Sequence, residues 1–155
     1  MKPEQIRTLA GCIWMRRKRM SESASLSDFF GDVISCYSRA EAIADGVLVS
    51  ISPEILKDAG IVLPVAVTDT IWNGYIDPYY LPELPGQSVE GRLWDLLWMF
   101  RCAVKAGNGG GDRIRYQVLF QIPGKNEPKQ VDLIAVCGPG DKGEPVITIM
   151  LPGED

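Results

Sequence analysis

The chain has 155 residues, of which 46% are apolar and 23% charged, with a formal net charge of −4, four cysteines and no histidine. That composition implies one ordinary globular domain, able to bury roughly two-thirds of its unfolded surface. The missing histidine excludes His-based nucleophile pairs, His-ligated zinc and a histidine general base. The acidic balance argues against nucleic-acid binding by the surface as a whole.

The opening MKPEQIRTLAGCIWMRRKRM predicts an amphipathic helix over 3–20, with Ile6, Leu9 and Ile13 on one side and Trp14 beside them. Its basic run Arg16–Arg19 follows the apolar part, the reverse of a secretory signal. The run reads as cations favoured at a helix C-terminus, with phosphate contact as the functional alternative. Ser21–Ser27 is a polar linker, so residues 1–27 form an arm and 28–155 a single α+β domain.

Val33–Tyr37 predicts a short strand. Ser38 and Glu41 have capping-box spacing at the start of a helix over Arg39–Asp45 that stops at Gly46. Val47–Ile51 is a second strand. Ser52 and Pro53 open a helix running to Ala59. Pro64 demotes Ile61–Val67 to an edge strand or extended segment, and Thr68 caps a short helix closed by Asn73-Gly74. Asp77–Ser88, DPYYLPELPGQS, has three prolines and no period. It is a surface loop offering two tyrosines, either a binding loop or a packed Ω-loop.

Gly91–Ala106 is the most apolar helix-length stretch. Leu93, Leu96, Leu97, Phe100 and Val104 share one face at helical spacing, and Trp94, Trp98 and Arg101 make an adjoining stripe. The arc is wide enough to predict cover on most sides. The tryptophans read as core packing, with a stacking platform as the functional alternative. Arg92, Asp95 and Arg101 interrupt the segment, which is too short for a membrane span. Gly107 ends the helix, and GNGGGD is a flexible connector without the GKS or GKT of a phosphate loop.

Arg113–Ile122 then alternates, with Ile114, Tyr116, Val118, Phe120 and Ile122 inward. Strands over Gln130–Cys137 and Val146–Leu151 follow short turns. The fold expected is α+β: a C-terminal three-stranded antiparallel meander packed on the central apolar helix, after short N-terminal strand–helix units. Cys12, Cys36, Cys102 and Cys137 lack CxxC spacing. They read as reduced thiols, mostly in the core, of a cytoplasmic protein holding no metal and no cofactor.

The segments GDVISCYSRAEAIADGVLVSIS, PVAVTDTIW, GRLWDLLWMFRCA and AVCGPGDKGEPVITIMLPGED resemble a family of small bacterial proteins known only as a domain of unknown function. That family is associated with plasmids, phages and other mobile elements. The resemblance covers most of the chain beyond the arm and implies an accessory or anti-defence role with no catalytic residues.

Three functional expectations follow. The first is a non-catalytic protein-binding accessory protein of a mobile genetic element, an inhibitor of a host defence complex of the anti-CRISPR or anti-restriction type. Its acidic groups would meet lysines and arginines of a nucleoprotein partner. Its contact residues would be Asp77, Tyr79, Tyr80 and Glu83 in the loop, with Asp141 and Glu144 at the far turn. The second is an NAD-using enzyme. CYSR…I…GVL faintly resembles the first strand–helix segment of ADP-ribosyltransferases, which implies Ser38 and Arg39 beside NAD and Glu144 orienting the ribose. The third, a DNA-binding accessory protein, rests on Arg16–Arg19 with Arg113 and Arg115.

Overall fold

A computed structural model describes residues 37–154 apart from Asn108. The helix expected over 3–20, the basic run Arg16–Arg19, the linker Ser21–Ser27, Cys12 and Cys36 lie outside the described residues. So does all but the last residue of the strand expected over Val33–Tyr37, and Tyr37 itself is not in a strand.

The first helix, α1 (Arg39–Ala44), starts where the capping box places it. The Ser38 hydroxyl accepts from the Glu41 backbone N–H, and the Glu41 carboxylate accepts from the Ser38 N–H. Strand β1 (Leu48–Ser50) and helix α2 (Pro53–Asp58) follow, the latter capped by Ser52 with Pro53 in its first turn. Strand β2 (Val65–Thr68) begins only after Pro64. It is not an edge strand: it lies between β1 and β6. Pro64 stands outside the strand, where its missing N–H costs no ladder bond, and its carbonyl accepts from Ile147 N–H at 2.8 Å.

Helix α3 (Asp69–Ile71) runs straight into a π-helical turn, Trp72–Ile76, closed by Asp77 N–H to the Trp72 carbonyl at 2.8 Å. Asn73-Gly74 therefore sits inside the turn and does not end the helix. Thr68 holds the N-cap position without a side-chain capping bond. Its hydroxyl donates to Glu154 at 3.0 Å.

A 3₁₀ turn at Leu81–Glu83 leads to α4 (Val89–Ala106), which starts two residues earlier than expected because Ser88 Oγ accepts from Gly91 N–H. Gly107, at φ 71°, ends it in the left-handed conformation. The glycine-rich connector is partly ordered as strand. β3 (Gly109–Gly110) pairs with the start of β4 (Arg113–Phe120) across a turn at Gly111. β5 (Lys129–Pro139) and β6 (Pro145–Met150) complete the chain.

These strands form one six-stranded sheet in the order β1-β2-β6-β5-β4-β3, with β3 only two residues long. β4, β5 and β6 pair antiparallel as the alternation implied, Tyr116 opposite Leu133 and Ala135 opposite Ile149. They do not stand alone. The outer side of β6 pairs in parallel with β2, Val65 opposite Ile147 and Val67 opposite Ile149, so the expected meander is one half of a larger mixed sheet.

The face shared by Tyr116, Val118, Phe120, Leu133, Ala135, Ile149, Val65 and Val67 meets Leu93, Leu96, Leu97 and Phe100 of α4 in one buried cluster. Among the described residues the helix is covered mainly on that side, with further contacts from the Trp72–Ile76 turn and from Ala59. Trp94, Trp98 and Met99 are 38%, 44% and 41% exposed, which corrects the expectation of cover on most sides. Sequence spacing measures how wide an apolar arc is, but not how many layers meet it. Cys102 is exposed and Cys137 half-buried, so neither is a core thiol.

Leu97 is fully buried. Leu97→Ala should cost about 2–5 kcal/mol in urea unfolding, as a truncation in a packed core does; a loss under about 1 kcal/mol would contradict the assignment of this helix face.

Glu154 ties the last turn to β2. Burial raises its pKa, but hydrogen bonds from Thr70, the Leu151 N–H and Thr68 more than offset this and hold it below the ordinary 4.5. A carboxyl depressed in this way contributes stability above its unfolded pKa and loses it as pH falls through the folded value. Thermal midpoints of wild type and Glu154→Gln should therefore separate above pH 4.5 and converge below it; a gap that widens in acid would reverse the sign.

Candidate interaction surface

The loop after the π-helical turn is anchored at intervals. Pro78 and Leu81 are buried, and the 3₁₀ turn closes with Leu84 N–H on the Leu81 carbonyl. Between these anchors Tyr79 is 93% exposed. Its ring meets Tyr80 edge-on at 5.4 Å, and the half-buried Tyr80 donates from its hydroxyl to the Gly74 carbonyl. Asp77 and Glu83 are exposed, and neither side chain has a hydrogen bond or ion pair among the described residues. The loop is thus a packed Ω-loop that still presents one tyrosine and two carboxylates to solvent.

What holds the loop is a residue that sequence reasoning passed over. Arg92, in the first turns of α4, is 2% exposed. Its guanidinium donates to Gln87 Oε1 at 3.1 Å, to the Tyr75 carbonyl at 2.8 Å and to the Gln121 carbonyl at 2.6 Å. It also lies 5.8 Å from the centre of the Phe120 ring. One side chain therefore joins the π-helical turn, the end of the loop and the end of β4. The signal was available: Arg92 lies four residues before Leu96, on the buried arc of the helix.

The other proposed contacts sit on the β5–β6 turn. Asp141 accepts from the backbone N–H groups of Arg39 and Ala40 at 2.8 and 2.9 Å, so it caps α1. Glu144 folds back over Gly140 and accepts from Lys142 N–H at 2.9 Å. The Arg39 guanidinium donates to Thr148 Oγ1 at 2.7 Å and to the Ile147 carbonyl at 3.1 Å. Burial lowers the Arg39 pKa, while Asp141 and Glu144, both within electrostatic reach, raise it.

A glutamate that serves only its turn is expected to lie far from Arg39; the structure instead brings Ser38, Arg39, Asp141 and Glu144 to one corner. The side chains are engaged within the fold: Ser38 in the capping box, Arg39 on β6, Glu144 on its own turn. Thr148 alternates with Ile147 and Ile149, so Arg39 reaches the sheet from the face away from α4.

The two groups of residues are separated. Arg92 places the loop at the C-terminal end of β4, and the β5–β6 turn lies past the residues opposite its N-terminal end. The eight residues of β4 put roughly 27 Å between them. The loop and the turn cannot form one compact contact.

A groove of about 690 Å³ runs along α4 beside Met99, Cys102 and Ala103 and includes Tyr116 in its wall. The Tyr116 hydroxyl is enclosed without a hydrogen-bond partner among the described residues, and burial pushes its pKa well up. Arg113 and Arg115 are exposed at the outer face of β4. Among the described residues no group of Cys, Asp and Glu could hold a metal ion, and no helix is long and apolar enough to cross a membrane.

The family of unknown function DUF6573 matches residues 26–155. The chain belongs to that family. No curated protein and no solved structure matches it. The match takes in the loop, the β5–β6 turn and α4, and leaves the basic run Arg16–Arg19 outside.

Arg92→Met keeps most of the volume but strands the Tyr75 and Gln121 carbonyls. It should cost about 3 kcal/mol in denaturant unfolding, and hydrogen exchange should quicken through the loop first. Unchanged loop exchange would mean that the loop is held by Pro78 and Leu81 alone.

Proposed function

We propose that this protein is a non-catalytic binding protein, an accessory factor of a mobile genetic element that inhibits a host defence complex of the anti-CRISPR or anti-restriction type. The observation that carries the reading is the anchored loop. It holds Tyr79 almost fully in solvent between two carboxylates, Asp77 and Glu83, that pair with nothing among the described residues. Tyrosine offers a large contact area at small entropic cost, and free carboxylates suit the lysines and arginines that line a nucleic-acid groove. The net charge of −4 and the absence of histidine favour the same class. The resemblance to proteins of plasmids and phages supplies the mobile-element context. Asp141 and Glu144 would belong to a second contact at the other end of the sheet.

A second reading follows from the corner where Ser38, Arg39 and Glu144 meet: ADP-ribosyl transfer from NAD, with Glu144 orienting the ribose. It would require all three side chains to leave their present partners. One experiment separates the two. Expressed in a host with an active restriction or CRISPR system, the protein should restore transformation by a targeted plasmid. Asp77→Lys with Glu83→Lys should remove that protection, and capture of the defence complex should weaken most at low salt, where charges are least screened. Glu144→Gln should leave protection intact. NAD turnover that vanishes in Glu144→Gln would replace the binder with the transferase.

A further inference from the structure

The exposed stripe of α4 carries a second surface, which adjoins the C-terminal end of the tyrosine loop and does not include Tyr79. Trp94 and Trp98, one turn apart, lie nearly parallel, with ring centres 6.2 Å apart and planes at 17°. Both are more than a third exposed, and Met99 beside them is 41% exposed. Isolated apolar residues on a surface need no explanation, but two stacked indoles make a continuous patch.

The charges around this patch have a direction. Trp98 already carries a cation: the Arg101 guanidinium lies 5.3 Å from its ring centre and is held there by a hydrogen bond to the Ala59 carbonyl at 3.1 Å. Trp94 has no such cation among the described residues. Instead Glu90 stands one helical turn before it and Asp95 next to it, both exposed and both without a hydrogen bond or ion pair among the described residues. A cleft of about 400 Å³ opens beside the ring, lined by Gly86, Gln87, Ser88, Glu90, Trp94 and Asp95. Arg92, the one cation in its wall, is turned into the core on the Tyr75 and Gln121 carbonyls.

We infer that the Glu90–Trp94–Asp95–Trp98 face is a docking surface for an arginine-bearing segment of a protein partner, with a guanidinium stacked on Trp94 and paired with Glu90 or Asp95. Arginine fits better than lysine, because its planar group can stack on an indole and bond a carboxylate at the same time. A nucleic-acid strand could use the rings but would bring phosphates against the two carboxylates. The inference rests on the reading of this protein as a protein binder, but not on the tyrosine loop or on the identity of the defence complex.

The test uses the full chain with nine-residue arginine and lysine peptides as probes, at about 0.15 M salt. Arginine peptide should bind about tenfold more tightly than lysine peptide, a difference of about 1.4 kcal/mol, and should shift the Trp94 indole N–H resonance. Trp94→Ala should erase the preference while the fold, read by circular dichroism, stays intact. Glu90→Gln with Asp95→Asn should weaken both peptides. Equal affinity for the two peptides, or a preference that survives Trp94→Ala, overturns the inference without touching the loop reading. So does a preference abolished by Asp77→Lys with Glu83→Lys and left intact by Trp94→Ala. Tighter arginine-peptide binding after replacing Arg16, Arg17, Lys18 and Arg19 by serine would assign the surface to the chain's own basic run and overturn a partner occupant.

Discussion

The architecture depends on a buried positive charge that has no carboxylate partner among the described residues. Arg92 is neutralised by dipoles: two backbone carbonyls, one side-chain amide oxygen and the face of Phe120. A guanidinium suits this role because its five N–H groups point outward in a plane and its charge is weakly hydrated for a cation. The carbonyls come from places where regular structure gives out, at the π-helical turn and just past the end of β4. These groups would otherwise be costly to bury. One side chain thus settles the end of the sheet, the end of the helix and the position of the loop between them.

The sheet is closed by a different device. The C-terminal meander is local and needs only short turns, but β2 joins β6 in parallel, across some eighty residues of chain. That pairing makes a strand of an unpromising segment. Val65, Ala66 and Val67 are all buried because they lie between two neighbours. The last turn confirms the join, with Glu154 gripping both Thr68 and Leu151. On the opposite face Arg39 fastens α1 to β6, and Asp141 caps the same helix from the β5–β6 turn.

These commitments sort the surface. Asp141, Glu41 and Glu154 accept hydrogen bonds that hold the fold. Asp77, Glu83, Glu90 and Asp95 hold nothing among the described residues, and all four belong to the loop or to the first half of α4 that follows it. Glu54, Asp58 and Glu127, on α2 and on the β4–β5 turn, are likewise exposed and unengaged among the described residues, so what sets the loop and α4 apart is that their carboxylates share those segments with the exposed rings of Tyr79, Trp94 and Trp98.

The amino-acid sequence by itself determined what depends on neighbours in the chain. Ser38 with Glu41 and Ser52 with Pro53 placed two helix starts, Gly107 a helix end, and period-2 alternation the strand β4 with Tyr116, Val118 and Phe120 inward, though Ile122, also expected there, lies past its end. The contacts of these features are made within a few residues, so local spacing suffices to read them. Tertiary structure decided the rest. Whether Pro64 marked an edge depended on which strands came to either side of β2. Whether Trp94 and Trp98 were core or surface depended on how many layers met α4, since an indole at helical spacing looks the same in both settings. Spacing alone puts Arg92 on the buried arc, but its partners were settled only when the Tyr75 and Gln121 carbonyls, distant in sequence, converged on it. A side chain's chemistry is written in the chain, but its partners are set by packing.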